Sequence, residues 1–306
     1  MRLAPATYRR VTLAALTALV FIVITGGAVR LTGSGLGCPD WPTCADNRLV
    51  PVPEAGYHAM VEFVNRAITG LVSVAVILAV LGSLVRSPRR RDLTLLSLGL
   101  VAGVIAQIVL GGLTVIFELK PQFVMAHFLL SMVLIANAVV LHHRAGLADD
   151  SPPRGSDKAR AGQPQPALVT AATTLAVAVL ALGTVVTSSG PHGGDPDAER
   201  FAFSLAAVAR LHGLAVVGFL AVVVVIVVQA SGARRYRLRR QAVWVLAVGL
   251  AQGAIGYLQY FTGVPVLLVG AHIAGATAVW ITIVKLQLTA RAGSLALPTP
   301  QLTSSA

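Results

Sequence analysis

AQIVLGGLTVIFELKPQFVMAH, residues 106–127, and AQGAIGYLQYFTGVPVLLVGAH, residues 251–272, are two versions of one pattern. In each, a glutamine precedes a histidine by 20 residues, Gln107 to His127 and Gln252 to His272, and a glycine, Gly111 or Gly256, stands four residues after the glutamine. This spacing crosses two apolar runs and the turn between them. An apolar run of roughly 20 residues can cross a bilayer as a helix, so the pattern reads as a pair of spanning helices used twice. An even number of spans separates the equivalents, which makes the two copies parallel.

Outward from the repeat, eight segments are long and apolar enough to span, approximately 12–32, 60–85, 93–117, 122–143, 167–188, 202–229, 241–261 and 264–288. The first follows Arg9 and Arg10 but is long for a signal peptide and lacks a small-residue cleavage site, so it counts as a span. The predicted fold is therefore all-α: a polytopic membrane protein of eight transmembrane helices, arranged as two tandem four-helix bundles. Residues 1–145 form the N-terminal half and 167–290 the C-terminal half. Between them, 146–166 is rich in Pro, Gly, Asp and Arg and reads as a flexible linker, and 291–306 reads as a disordered tail.

Composition agrees with this reading. With 56% hydrophobic and 12% charged residues and a mean hydropathy of +0.78, the 306-residue chain is too apolar for one soluble domain. A formal charge of +12 could suggest a nucleic-acid partner, but the basic residues sit in short loops rather than on one face, so none is expected. Those loops report orientation instead. Arg2, Arg9, Arg10, Arg86, Arg89, Arg90, Arg91, Arg144, Arg154, Lys158, Arg160, Arg234, Arg235, Arg237, Arg239, Arg240, Lys285 and Arg291, eighteen of the 24 Lys and Arg, fall on one side. By the positive-inside rule that side is cytoplasmic. A multi-pass cell-membrane protein with both termini inside follows, and loops 33–59, 118–121, 189–201 and 262–263 lie outside.

His127, His212 and His272 each fall near the outer end of an outside-to-inside span, roughly 7–15 Å below the outer surface at about 1.5 Å per residue. Three histidines in one layer, two of them related by the repeat, point to ligation of a haem or metal. A zinc site needs three or four donors in one bundle, and each half has at most two in this layer. A porphyrin between facing helices needs only one imidazole from each side and apolar walls. The C-terminal half offers the complete pair, His212 and His272. In the N-terminal half the repeat sets EFVNR, residues 62–66, beside ARLHG, residues 209–213, so Asn65 stands where His212 has its counterpart.

The same stretch carries Glu62 and Arg66, four residues apart and on one helical face. Ionisable groups at membrane depth default to a functional-site hypothesis, against the plainer reading of an intrahelical ion pair. His58 precedes Glu62 by four and Asn65 by seven. If the helix extends that far, His58 is either an interfacial side chain or a ligand reaching down from one to two turns higher. His142 and His143 sit at the inner interface, and His192 is in a glycine-rich outer loop from which it could cover a site. Cys38 and Cys44 bracket PDWPT outside the membrane, where a disulfide is permitted. Closing so short a loop removes little chain entropy, which leaves a redox role open beside a structural one.

With these residues in place the chain resembles the haem A synthase family. The resemblance covers roughly residues 10–290 and rests on TGGAVRLTGSGLGCPDWPTC (25–44), EFVNR (62–66), GGLTV (111–115), the histidine of VMAHF (124–128), RLHG (210–213) and GAHIAG (270–275). It implies a membrane oxidoreductase acting on a CH3 group, converting haem O to haem A by oxidation of the C8 methyl to a formyl group for terminal oxidase biogenesis. In that family's pattern His212 and His272 match the axial ligands of a resident haem b and its iron, His127 matches a ligand of the substrate haem, and Glu62 matches the catalytic residue. The family motif reads Glu-x-x-His-Arg, and Asn65 replaces its histidine, which leaves the second substrate-haem ligand open; Asn65, Arg66 and His58 are the further candidate residues of that site. Arg30, Arg66 and Arg210 are candidates for haem propionates or for ordinary interfacial snorkelling. Haem O synthase, terminal oxidase assembly, an unidentified electron acceptor, the lipid bilayer and a second copy of the chain are the partners expected. The competing expectation is a membrane b-type cytochrome that only transfers electrons.

Overall fold

In the computed structural model, residues 2–45, 47–52, 56–149, 164–231 and 235–293 are described. Among them the chain forms eight helices: α1 Pro5–Leu31, α2 Gly56–Val85, α3 Arg91–Ile116, α4 Pro121–Ala145, α5 Pro164–Ser189, α6 Leu205–Gln229, α7 Tyr236–Phe261 and α8 Val266–Gly293. All eight are long and apolar enough to cross a membrane, and the protein is a multi-pass membrane protein. The shortest have 25 residues and the longest 30. At 1.5 Å per residue they run about 38–45 Å, beyond the roughly 30 Å hydrocarbon layer and into both interfaces.

Several helices begin earlier than the apolar runs suggest. Arg9 and Arg10 lie inside α1, and Arg237, Arg239 and Arg240 lie in the first turns of α7. Hydropathy marks where hydrocarbon starts, but backbone hydrogen bonding continues into the headgroup layer, where arginine is a good helix former. α2 likewise begins at Gly56, which places His58 on the helix.

The turn inside the repeat explains its constant length. After α3, Glu118 and Leu119 take φ of 48° and 59°, and Leu119 N–H donates to the Thr114 carbonyl at 2.7 Å. After α7, Gly263 and Val264 take 81° and 60°, and Val264 N–H donates to the Gln259 carbonyl at 2.7 Å. Both close a helix end through two successive left-handed residues and a bond to the carbonyl five residues earlier, the longer bond of a Schellman cap. Since both turns close the same way, the helix before and the helix after hold one register, and Gln-to-His spacing is fixed.

α1 packs on α2 and α4, and α3 on α2 and α4; in the second half α5 packs on α6 and α8, and α7 on α6 and α8. Contact between the halves runs through α1, α4, α5 and α8. Buried apolar residues such as Leu100, Ile135, Val223 and Ile283 form one continuous core across both. Polar links fix the register where only van der Waals packing would otherwise act. Tyr8 of α1 shares a hydrogen bond with Ser97 of α3 at 3.0 Å, and Trp280 Nε1 of α8 donates to the Met132 carbonyl of α4 at 2.7 Å. The outer faces stay apolar, with Leu71 and Leu214 well exposed, as lipid-facing helices require.

At the end of the bundle where α2 meets α3, Arg86 pairs with Asp149 at 2.6 Å, and Asp92 receives both Arg90 and Arg144. The part of the 146–166 linker that precedes residue 150 is thus docked, while 150–163 lie outside the described residues. α8 continues to Gly293, two residues past the expected start of the tail; 294–306 also lie outside the described residues.

Candidate functional site

The outer end of α2 is built around one buried carboxylate. Glu62 is 6% exposed. Its Oε2 accepts the backbone N–H of Cys38 at 2.8 Å, and its Oε1 accepts Arg66 Nε at 3.1 Å and Nη2 at 2.5 Å. The expected ion pair is therefore present, but it is also joined to the first outer loop. Arg66 turns its remaining N–H groups to that loop's carbonyls: Nη1 to Thr43 at 2.8 Å and Asp40 at 3.3 Å, Nη2 to Cys38 at 3.2 Å and Asp40 at 3.3 Å. Each of its N–H groups is engaged within this network. The guanidinium thus faces loop backbone, a direction that no helical spacing could reveal.

Cys38 and Cys44 form a disulfide, with both residues buried beneath the loop. The bridge holds the short reversal from which the Cys38 N–H and the Cys38, Asp40 and Thr43 carbonyls are presented. Trp41, between the cysteines, lies on Gly112 of α3, where a side-chain Cβ would come within 2.6 Å of the indole. Gly112 belongs to the GGLTV stretch, and its neighbour Gly111 faces His127. The sequence marked both glycines without showing that one of them seats a tryptophan.

Gly37 makes the closest approach to the backbone of another segment. A Cβ there would fall 2.3 Å from the His58 carbonyl oxygen and 2.7 Å from the Ala59 nitrogen, both backbone atoms of α2 that cannot step aside. Gly37→Ala should therefore lift the loop and separate the Cys38 N–H from Glu62. Overpacking of this kind costs roughly 1–3 kcal/mol. The check is the midpoint of thermal unfolding in detergent together with the rate at which a water-soluble phosphine reduces the disulfide: a lower midpoint and faster reduction are expected, and no change in either would mean the loop does not rest on α2.

His58 is exposed on α2 and shares a hydrogen bond from Nδ1 with Ser34 Oγ at 2.9 Å. Asn65 lies two turns deeper, about 10 Å along the helix. Its Oδ1 is buried without a hydrogen-bond partner. His127 sits against Gly111, whose added Cβ would meet its Nε2 at 3.5 Å, and its carbonyl accepts Gln107 Nε2 at 3.1 Å.

The second half repeats this frame with both histidines. His272 lies against Gly256, where an added Cβ would meet its Cε1 at 3.0 Å, and its carbonyl accepts Gln252 Nε2 at 2.8 Å. Gly275 leaves the space that the Gln252 amide occupies. His212 of α6 lies against Gly183 of α5 at 3.2 Å by the same measure. The Nδ1 atoms of both imidazoles are buried without a hydrogen-bond partner. Among the described residues there is no cluster of three or more His, Cys, Asp or Glu suited to a bare metal ion. The donors of this half are instead two imidazoles, each with a buried and unpartnered Nδ1, which suits axial ligation of a haem.

The arginines divide. Arg30 at the end of α1 donates to the His192 carbonyl at 2.7 Å and the Thr187 carbonyl at 3.0 Å, tying the α5–α6 loop to the first half. His192 in turn bonds the Val264 carbonyl at 2.8 Å, and Gly35 N–H donates to the Gly194 carbonyl at 2.8 Å. The two long outer loops are thus joined above the helices, and His192 acts there as a tie. Arg210 is exposed near the N-terminal end of α6 with no hydrogen bond or ion pair among the described residues, so its guanidinium is free to meet an anion.

A family model described as COX15-CtaA, cytochrome oxidase assembly protein, matches residues 9–192. The chain is also similar to proteins named "Heme A synthase". One from Exiguobacterium sibiricum is 28% identical over 124 residues, 40% of this chain and 41% of that protein. One from Listeria welshimeri is 31% identical over 122 residues, 39% of this chain and 40% of the relative. The match spans about two fifths of the length of these curated relatives.

Proposed function

We propose a function from one premise: the chain belongs to the COX15-CtaA family of cytochrome oxidase assembly proteins. It is a membrane oxidoreductase that converts haem O to haem A, oxidising the C8 methyl to a formyl group for terminal oxidase assembly. One observation carries this reading. A buried carboxylate, Glu62, is held by two independent partners in the half of the molecule whose histidine pair is incomplete. An electron carrier needs neither that carboxylate nor an unmatched His127.

In this reading the N-terminal half, 1–145, receives haem O as substrate, with His127 as an iron ligand and Glu62 beside the methyl. A fixed carboxylate there can accept a proton as the methyl is oxidised and can stabilise positive charge developing on that carbon. Its strength comes from the surroundings, since charge interactions count for more in a site shielded from water. The Cys38 N–H and Arg66 hold both oxygens, so the carboxylate does not reorient when charge develops. The disulfide loop and Trp41 cover this end of α2 and α3 and limit water.

The C-terminal half, 167–290, suits a resident haem b, and its residues fit one: two imidazoles with buried, unpartnered Nδ1 atoms, each with a glycine on the neighbouring helix that permits close approach. His212 and His272 would hold its iron, and Arg210, whose guanidinium has no partner among the described residues, would meet a propionate, while Arg30 and Arg66 are committed to backbone carbonyls. When bound, this haem supplies one-electron transfer toward an acceptor. Gln252 and Gln107 each pin the backbone carbonyl of a histidine, so the imidazole stays free to bind. Both termini are cytoplasmic, haem O synthase is the natural donor of substrate, and two copies of the chain can meet through their apolar faces.

The test is to produce the chain in a host that makes haem O synthase but no enzyme of this kind, then extract and identify the non-covalent haem. Haem A beside haem b is expected. Haem b with unchanged haem O would overturn the reading and leave the b-type cytochrome.

A further inference from the structure

The two halves present the same parts around His127 and His272 and differ at the partner position, where Asn65 stands in place of His212. His127 repeats His272 in detail: a glycine on the preceding helix faces the imidazole, and a glutamine four residues before that glycine donates to the histidine carbonyl. His212 has no such repeat. Its counterpart Asn65 brings an amide whose Oδ1 is buried and without a partner. A neutral amide oxygen is a far weaker donor to haem iron than an imidazole. The nearest other histidine on that helix, His58, lies two turns outward, is exposed, and is engaged with Ser34. Glu62 lies nearer, but both its oxygens are taken by Cys38 and Arg66.

Resting on the functional reading above, we propose that His127 is the one protein ligand of the substrate iron, and that the axial position beside Asn65 is a binding site for a small exogenous ligand. Water fills it at rest and gives the orphaned Oδ1 its missing donor, since buried acceptors seek partners. Neutral nitrogen bases and carbon monoxide are the probes it accepts. The site makes the two haems chemically unlike. The one between His212 and His272 is six-coordinate and closed; the one on His127 is high-spin and exchangeable. A singly tethered haem also dissociates more readily, which suits a substrate that must leave as product.

The experiment uses the full chain purified with both haems from cells that supply haem O. Absorption and electron paramagnetic resonance spectra are recorded before and after adding imidazole, and after reduction under carbon monoxide. We expect a high-spin and a low-spin population, conversion of the high-spin one by imidazole, and carbon monoxide binding to about half of the haem. Asn65→His removes both responses, and His127→Ala removes the responsive haem itself. If that histidine variant does not accumulate, the titration of the unaltered protein decides alone. Two low-spin haems that ignore both probes would overturn the proposal while the functional reading stands. A second haem that is low-spin in the unaltered protein and turns high-spin in His58→Ala would assign the position to His58 and overturn it equally. A protein that retains no haem beyond that of His212 and His272 would remove the functional reading and the proposal together.

Discussion

Glu62→Gln is expected to stop formation of the formyl group while the haem proposed for His212 and His272 stays bound. Loss of a positioned acid–base group lowers a rate by about 10²–10⁴-fold, so haem A should fall below detection in extracts that contain it for the unaltered chain. Glutamine is the informative change because it separates charge from architecture. It keeps an oxygen for the Cys38 N–H and a similar shape, but it cannot take up a proton or oppose positive charge. Alanine removes the hub altogether: Cys38 N–H loses its acceptor and Arg66 its counter-ion. Breaking one side of a buried ion pair costs about 3–5 kcal/mol, and that change alone could displace the loop. The two variants should therefore agree in losing haem A and differ in stability, with the disulfide more reducible in Glu62→Ala than in Glu62→Gln. Normal haem A production by Glu62→Gln would remove Glu62 from the chemistry and leave it as an anchor for the loop.

The eight helices were legible because hydrocarbon demands a simple code: long apolar runs with charges between them. The repeat was legible because its turn admits one geometry, so Gln107 and Gln252 keep the same distance to their histidines. The cysteine bridge was legible too, since two cysteines in one outer loop have only each other. What the sequence hid was where the chain's polar groups point between elements. Arg66 and Arg30 were candidates either for propionates or for snorkelling, and both donate instead to backbone carbonyls. Backbone carbonyls carry no residue-specific signature, so nothing in the sequence identifies them as an arginine's partners. The contact of Gly37 with the α2 backbone was hidden for the same reason. His192 could be placed in a covering loop, but its bond to Val264 depends on how two loops meet in space.

His272→Ala should release the resident haem and end turnover while substrate binding persists. The imidazole is one of the two proposed iron ligands of this half, and neither neighbour can replace it: Gly256 has no side chain, and Gln252 is committed to the His272 backbone carbonyl. That carbonyl survives the substitution, so α8 keeps its register and the loss is confined to the iron. Haem content should fall by about half, with the low-spin signal gone and haem O still extractable. His127→Ala should give the reverse pattern, keeping the low-spin haem and losing haem O. The crossed outcome is the decisive feature, because a general folding defect would deplete both haems in both variants. Turnover fails in His272→Ala for a different reason than in Glu62→Gln: the methyl still meets its carboxylate, but electrons removed from it have no route out through the second half. Supplying a soluble oxidant able to reach the outer surface should then restore a fraction of haem A formation to His272→Ala and none to Glu62→Gln. Rescue of both variants, or of neither, would show that the two halves do not divide chemistry from electron transfer.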